Sequence, residues 1–316
     1  MKIKEISKEI LSENSNSIFL SIKWLSIFND ALKCYGIYNN EQKIIGGFTL
    51  YNEKKIGLIT YYRNPLYSPT INLFFKNKSQ NKSKILSENK KLLMTLADFF
   101  SHLPYHILSV YLPGQFTDMQ PFFWKGFKTI PNYTYIIDLK EDIQVIEKNF
   151  STKRRNDIKK AIHDGVESKI SHDHNITKEL VLNTFNRKQK SINENIIDKI
   201  LFNFADNSNS FSFISYQDNK PIAGSFYIYD QQKIYYLLGG YNNNNKHNGA
   251  GALSIFNAIK YAKKSGIDKF DFEGSMIPEV EKFFRGFGGN LVPYYSINRA
   301  KMPIEIMLKF VKRSMY

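Results

Sequence analysis

Residues 43–60 alternate apolar with small or polar side chains on either side of a polar break at Asn52 and Glu53, the period of two half-buried strands joined by a turn. Residues 220–238 repeat that layout around a break at Asp230 to Gln232. Lys43, Ile45 and Gly47 fall in line with Lys220, Ile222 and Gly224 at an offset of 177. Each strand pair leads into a stretch of helical period, residues 85–102 and 250–265, and then into a short strand, 105–112 and 268–272. An aromatic–glycine cluster follows each time, FFWKGF at 122–127 and FFRGF at 283–287, ahead of a tyrosine-containing strand. The clusters are offset by 161, so loop lengths drift while the order of elements is kept. This describes two diverged copies of one mixed α/β unit, each a mixed sheet flanked by helices.

Between the copies, residues 151–164 predict a helix with Ser151 as N-cap and Gly165 as stop, followed by a short strand and two helical segments up to about residue 206. The border is expected near residue 140, giving a first domain at 1–140 and a second at 141–300. The closing stretch begins with Pro303 and carries Ile304, Ile306, Met307, Phe310 and Val311 at helical spacing, so residues 301–316 are expected to pack as a terminal helix on the first domain. Its basic, amphipathic character leaves contact with an anionic membrane surface as the alternative. Residues 76–84, KNKSQNKSK, hold four lysines and no acid and read as a solvated loop.

Composition sets the class. With 42% hydrophobic residues, 25 Phe and 20 Tyr, the 316-residue chain has apolar area for one core per domain. Trp24 and Trp124 read as core anchors. The one cysteine, Cys34, excludes an intramolecular disulfide and Cys-rich zinc sites, and suits a reducing compartment. His172 and His174 stand without further ligands at metal spacing, so no metal is expected. No stretch approaches the roughly 18 apolar residues of a membrane span, and the opening MKIKEISKEI is unlike an export signal. A monomeric cytoplasmic protein without an integral membrane segment is expected. Lys and Arg number 44 against 29 Asp and Glu, a net charge of +15 that divides at residue 140 into +8 and +7. Evenly spread charge points to an anionic ligand, not to a separate nucleic-acid arm. An ordinary solvated surface is the alternative.

The chemistry concentrates in residues 245–274, NKHNGAGALSIFNAIKYAKKSGIDKFDFEG. Gly249, Ala250 and Gly251 open a helix whose apolar side includes Leu253, Ile255, Phe256 and Ile259, with Lys246, His247 and Asn248 beside them. Glycines let backbone N–H groups approach a phosphate, and a helix N-terminus favours negative charge. A plain turn into the helix would use the same glycines. The first copy opens its helix at 82–88 with no glycine, so the cradle belongs to the second copy alone, as in a two-substrate enzyme.

Strand pair, Gly-rich loop, helix, short acidic strand and aromatic–glycine cluster, in that order, resemble the GNAT acyltransferase fold. That family's loop reads Arg or Gln, two residues, Gly, any residue, then Gly or Ala; KHNGAG sets Lys246, Gly249 and Gly251 against it. The duplication, with RRNDIKKA, PIAGSF, DFEGS and FFRGFGG, is similar to the FemAB-type peptidoglycan-bridge aminoacyltransferases and BioF2-like acetyltransferases. The tRNA-dependent members read Phe-Lys where this chain has Phe284-Arg285, and no long heptad run offers a coiled-coil arm, which disfavours that subtype.

The resemblance implies transfer of an acyl or aminoacyl group to an amine, with an acceptor of the cell-envelope precursor class. Acyl-CoA is the favoured donor and aminoacyl-tRNA the alternative; no cofactor is bound permanently. By resemblance the donor carbonyl lies against residues 237–240, so Leu238, Gly239 and Gly240 join Lys246–Gly251 in holding the donor. Glu273 accepts the amine proton, Tyr236 and Tyr241 protonate the leaving thiolate, and Arg154, Arg155, Asp271 and Arg285 bind substrate. The bland readings are a helix cap for Glu273, a salt bridge for Asp271, packing for the tyrosines and exposed helical charge for the arginines. A noncatalytic module that binds an anionic glycan precursor or RNA is the rival function. Cys34 lies in the first copy, which argues for direct attack without a covalent intermediate.

Overall fold

The computed structural model describes residues 1–55, 58–77, 79–187, 192–274 and 276–311. Lys78 of the lysine-rich segment, Ser275 of the DFEGS motif and residues 312–316 of the terminal segment lie outside the described residues. The chain forms two compact units, Met1–Asn132 together with the chain from Pro293 onward, and Tyr133–Val292.

In the first unit β1 (Lys2–Ile6), α1 (Lys8–Glu13) and α2 (Ile22–Leu25) precede an antiparallel meander of β2 (Leu32–Tyr38), β3 (Ile44–Lys55) and β4 (Ile59–Arg63). After β5 (Phe74–Phe75), α3 (Lys82–His102) crosses over to β6 (Ile107–Leu112), which runs parallel to β4; α4 (Gln120–Trp124) then leads to β7 (Lys128–Asp138). The second unit holds α5 (Ile143–Lys148), α6 (Thr152–His163), β8 (Glu167–Ser171), α7 (His174–Arg187) and α8 (Glu194–Asp198) ahead of a second meander, β9 (Ser210–Gln217), β10 (Lys220–Tyr229) and β11 (Lys233–Tyr241). Here α9 (Ala250–Lys264) crosses over to β12 (Lys269–Asp271), parallel to β11. α10 (Pro278–Arg285), β13 (Asn290–Ala300) and α11 (Ile304–Val311) close the chain. The class is mixed α/β, and the order of meander, crossover helix, parallel strand and short helix repeats as the sequence predicts.

The closing strands are exchanged. β6 pairs antiparallel with β13, Leu112 to Ile107 against Tyr295 to Ala300, while β12 pairs antiparallel with β7, Lys269 to Asp271 against Asp138 to Ile136. Each unit is therefore completed by the strand that follows the other copy's aromatic–glycine cluster. The border falls after Asn132, within β7, whereas a linear reading places it near 140 and assigns 293–300 to the second domain. Charge follows the same rearrangement. The first unit has 22 Lys and Arg against 10 Asp and Glu, a net +12, and the second has 22 against 19, a net +3.

Three local expectations are corrected. β3 continues through Asn52 and Glu53, which stand opposite Tyr62 and Tyr61, and Glu53 accepts from Arg63 at 2.9 Å; the polar break is a cross-strand polar pair, not a turn. Trp24 is fully buried and donates to Ser68 at 3.1 Å, but Trp124 is 59% exposed, because Phe122 occupies the inner side of the short α4. No residue of α11 is buried, and only Ile304, Glu305 and Leu308 are partly covered.

Each unit has its own core. Phe48, Leu50, Leu108 and Val110 of the first sheet pack with Leu92, Leu93, Leu96 and Phe100 of α3. In the second, Tyr227, Ile234 and Phe270 pack with Ile255, Phe256 and Ile259 of α9. The β6–β13 seam carries a buried polar chain in which Ser109 donates to Asn298 at 2.7 Å and Asn298 to Ser296 at 3.0 Å. Asn298→Ala strips Ser109 of its acceptor and is expected to cost about 1–3 kcal/mol. Both tryptophans lie in the first unit, so urea denaturation followed by tryptophan emission reads the loss; an unchanged midpoint would mean that β13 does not hold this unit together.

Candidate active site

Parallel strands β11 and β12 pair over three residues, Lys233 to Tyr235 with Lys269 to Asp271. β11 then runs on from Tyr236 to Tyr241 with no strand partner on that side among the described residues. A parallel pair that splays at its carboxyl end opens a crevice lined by backbone. The break is reinforced on the other edge, where Leu238 stands opposite Phe226 and Tyr236 opposite Tyr227, leaving Leu237 as a β-bulge. Asn242 N–H donates toward β10 at Ile222, while Tyr241 N–H donates the other way, to Thr184 of α7 at 2.9 Å. Strand alternation directs the Gly239 N–H to the same side as that of Tyr241.

Glu273 sits where the strands part. Its backbone is left-handed, φ 60°, and Gly274 follows at φ 73°, so the chain turns sharply after β12. A Cβ on Gly274 would lie 2.3 Å from the Tyr133 carbonyl oxygen, which fixes that residue as glycine. A glutamate in this conformation is strained, by about 1–3 kcal/mol. Its Oε1 is buried and has no hydrogen-bond partner among the described residues. Burial, reinforced by the Asp271 charge and opposed by Lys233, pushes its carboxyl well above the usual range. It does not cap α10, whose N-cap Ile277 has no side-chain cap bond.

Asp271 is 5% exposed and fully engaged within the fold. Oδ1 accepts from Thr134 at 2.7 Å and from the Glu273 N–H at 3.0 Å, and Oδ2 accepts from Lys233 at 3.1 Å. It therefore holds the Glu273 turn in place, where the sequence reading gives it to substrate. Nor do Asp271 and Glu273 alternate along one strand, because β12 ends at Asp271.

The glycine loop is built differently from its sequence reading. Gly249, Ala250 and Gly251 are buried. A Cβ on Gly249 would lie 2.0 Å from the Asp157 carbonyl oxygen, and one on Gly251 would lie 1.8 Å from the Tyr241 hydroxyl. A Cβ on Gly240 would meet the Leu180 backbone at 2.2 Å. These glycines admit α6, Tyr241 and α7 to close approach, so the requirement for glycine comes from packing. The anion-binding capacity lies in the backbone: among the described residues the N–H groups of Gly251 and Ala252 meet no acceptor. His247 is a strut. Its Nδ1 accepts from Gly249 N–H at 3.1 Å, so its Nε2–H donates to Asp164 at 3.0 Å, which assigns the neutral Nε2–H tautomer. The Lys160, His247 and His163 hydrogen bonds hold the Asp164 carboxyl well below its ordinary range. Lys246 and Asn248 are exposed beside this loop.

Tyr236 is half-buried, with its hydroxyl over Gly239 and its ring 5.5 Å from that of Phe284; burial raises its pKa, so the phenol stays protonated. Arg154 is 5% exposed, contrary to the expected surface charge. It pairs with Asp157 at 3.0 Å, donates to the Phe283 carbonyl at 3.3 Å and lies 4.1 Å over the Phe283 ring, with no partner for Nε among the described residues. The structure thus brings Tyr236, Tyr241, Arg154 and the α9 N-terminus together. Arg155 instead donates to the Lys148 and Phe150 carbonyls, closing the end of α5. Arg285 is exposed and paired with Glu281 at 2.8 Å. Thr184, Lys233, Thr134 and Asp164 are participants that the sequence reading missed.

Two outcomes follow from this geometry. Asp271→Ala leaves Lys233 and Thr134 without their acceptor and is expected to cost about 2–3 kcal/mol in chemical denaturation. In the fold Glu273 binds its proton more tightly than in the unfolded chain, so ionisation drains stability as pH rises above about 4. Glu273→Gln should accordingly melt with the wild type at pH 4 and several degrees above it at pH 8; equal Tm at both values would mean that the carboxyl is not desolvated.

No protein of curated function matches this chain in sequence. Residues 184–282, from Thr184 to just before α10 ends, match the acetyltransferase (GNAT) domain family. Among solved structures, FemX superposes with a TM-score of 0.66 at 13% identity, covering 98% of this chain and 100% of its own. The C-terminal domain of a putative lysylphosphatidylglycerol synthetase from Agrobacterium fabrum gives 0.58 at 7% identity, over 95% and 93% of the two chains. A tandem GNAT protein from the clavulanic acid biosynthesis pathway gives 0.54 at 8% identity, over 94% and 98%. The splayed β11–β12 pair, the bulge and the α9 N-terminus all fall within the span that matches the acetyltransferase (GNAT) domain family, and the chain as a whole has a fold similar to those of FemX and the tandem GNAT protein.

Proposed function

We propose that the second unit is an N-acyltransferase site that takes an acyl-CoA donor in the crevice between β11 and β12 and passes the acyl group to an amine. One observation carries the reading. Beyond Tyr235 the edge of β11 has no strand partner among the described residues; Glu273, with a buried carboxyl oxygen, lies just past the end of β12, and the α9 N-terminus, whose Gly251 and Ala252 N–H groups meet no acceptor among the described residues, lies against Tyr241 at the other end of that edge. The donor pyrophosphate would rest on the Gly251 and Ala252 N–H groups with Lys246 beside it, and the thioester carbonyl on the Gly239 N–H. The amine nitrogen attacks the carbonyl carbon, its proton passes to the Glu273 carboxylate, and the departing thiolate takes a proton from Tyr241 or Tyr236. Cys34 takes no part: it lies in the other unit, and burial pushes its thiol up to about 11. The motif resemblance to the FemAB-type enzymes, carried by RRNDIKKA, PIAGSF, DFEGS and FFRGFGG, favours an acceptor of the cell-envelope precursor class. Acyl-CoA is favoured over aminoacyl-tRNA because the donor unit carries a net charge of only +3.

The test is acyl transfer from labelled acetyl-CoA to a panel of amines. Glu273→Gln should lower kcat by about 10²–10⁴-fold while donor Kd, read by calorimetry, stays within a factor of two or so. Because the base works only when ionised, wild-type kcat/KM should rise with pH through the raised pKa of Glu273, and the variant should lose that limb. Lys246→Glu should weaken donor binding several-fold with Tm unchanged, because Lys246 is exposed and makes no side-chain bond among the described residues. Full turnover by Glu273→Gln would end the assignment of the base, and absence of donor binding by any acyl-CoA would end the proposal.

A further inference from the structure

The three most exposed aromatic side chains described are Phe310 at 86%, Phe123 at 73% and Trp124 at 59%, and all belong to the first unit. Phe123 and Trp124 project from α4. Phe310 shares one side of α11 with Ile306, Met307 and Val311, all uncovered, while Glu305 and Lys309 pair at 2.8 Å on the opposite side. The two segments start from one place: Arg299 near the end of β13 donates to the Lys125 carbonyl after α4 at 3.0 Å and lies 5.2 Å over the Phe127 ring. Lysines accompany the aromatic residues along the chain, three of them paired with acids: Lys90 with Asp118, Lys125 with Asp98 and Lys309 with Glu305. Lys90 sits 5.2 Å over the Trp124 ring, and Lys125, Lys128, Lys301 and Lys309 follow along the chain.

We propose that this face of the first unit docks on an anionic lipid bilayer. Exposed Phe and Trp partition into the headgroup–acyl boundary, and lysines beside them gain from the negative surface potential. The unit that carries the patch also carries +12 of the chain's +15 charge, so it is complementary to an anionic surface. RNA would match the charge and could stack on the aromatic rings, but Met302, Ile306, Met307 and Val311 would gain nothing from it. A bilayer uses every member of the patch. This inference is independent of the acyltransferase reading, since no residue in it belongs to the β11–β12 crevice.

Flotation of the full chain with vesicles of phosphatidylcholine alone, or mixed with either phosphatidylserine or phosphatidylglycerol, tests it. Binding should need the anionic lipid, serve both headgroups alike and fall steeply with salt. Phe123→Ser with Trp124→Ser, and separately Ile306→Ser with Phe310→Ser, should each lower vesicle partitioning by about tenfold with an unchanged Tm. Lys301→Glu with Lys309→Glu should do the same. No flotation, equal flotation on neutral vesicles, or preference for one headgroup would overturn the proposal. So would sedimentation showing a dimer that Phe310→Ser dissociates, or tRNA binding that the serine variants abolish in the absence of flotation.

Discussion

The site depends on the early parting of two parallel strands. A three-residue ladder between β11 and β12 is short for a sheet interior, and what ends it is the left-handed pair Glu273–Gly274, turned against the Tyr133 carbonyl and tied back by Asp271. From that turn follow a strand edge without a strand partner among the described residues and a glutamate whose Oε1 loses water without gaining a hydrogen-bond partner among them. A buried carboxyl without a hydrogen bond is costly, and strain at the same residue adds to the cost. Stability is conceded at this turn, while Arg154 with Asp157 and His247 with Asp164 tie α6 and the loop before α9 in place.

That lattice is polar yet serves geometry. Arg154 lies between α6 and the aromatic–glycine cluster, where a guanidinium stacks on Phe283 and reaches its carbonyl at once, a task lysine could not perform in the same way. His247, with one ring nitrogen accepting from the loop backbone and the other donating to the end of α6, sets the approach to α9.

The duplicated architecture was legible in the chain because it is written in periodicity and in two aromatic–glycine clusters. The helix at 151–164 was legible too: Ser151 caps it through the Arg154 N–H and Gly165 ends it in the left-handed region. The strand exchange was hidden, since nothing local to residues 133–138 or 295–300 says which parallel strand each will join. The glycines misled in an instructive way. They were required, as expected, but by Asp157, Tyr241 and Leu180, atoms brought close only by tertiary packing. Arg154 was readable in retrospect, since Arg154, Ile158 and Ala161 lie at i, i+4 and i+7 on the buried side of α6, and a charge on an apolar stripe points inward. Asp271 and Lys233 were not, because they lie 38 residues apart and meet only through sheet register.

The exchange of closing strands also gives assembly a direction. Residues 1–132 leave the ribosome before the second unit, but their sheet lacks β13 until residue 300 has been made, whereas β7 is already present when the second meander emerges. The half begun earlier is thus the half finished later. Until then β6 presents an open edge and its neighbours an uncovered apolar face, the kind of intermediate that chaperones engage. A duplicated gene that trades its final strands in this way has made each half the folding partner of the other, and neither can be lost or moved elsewhere alone.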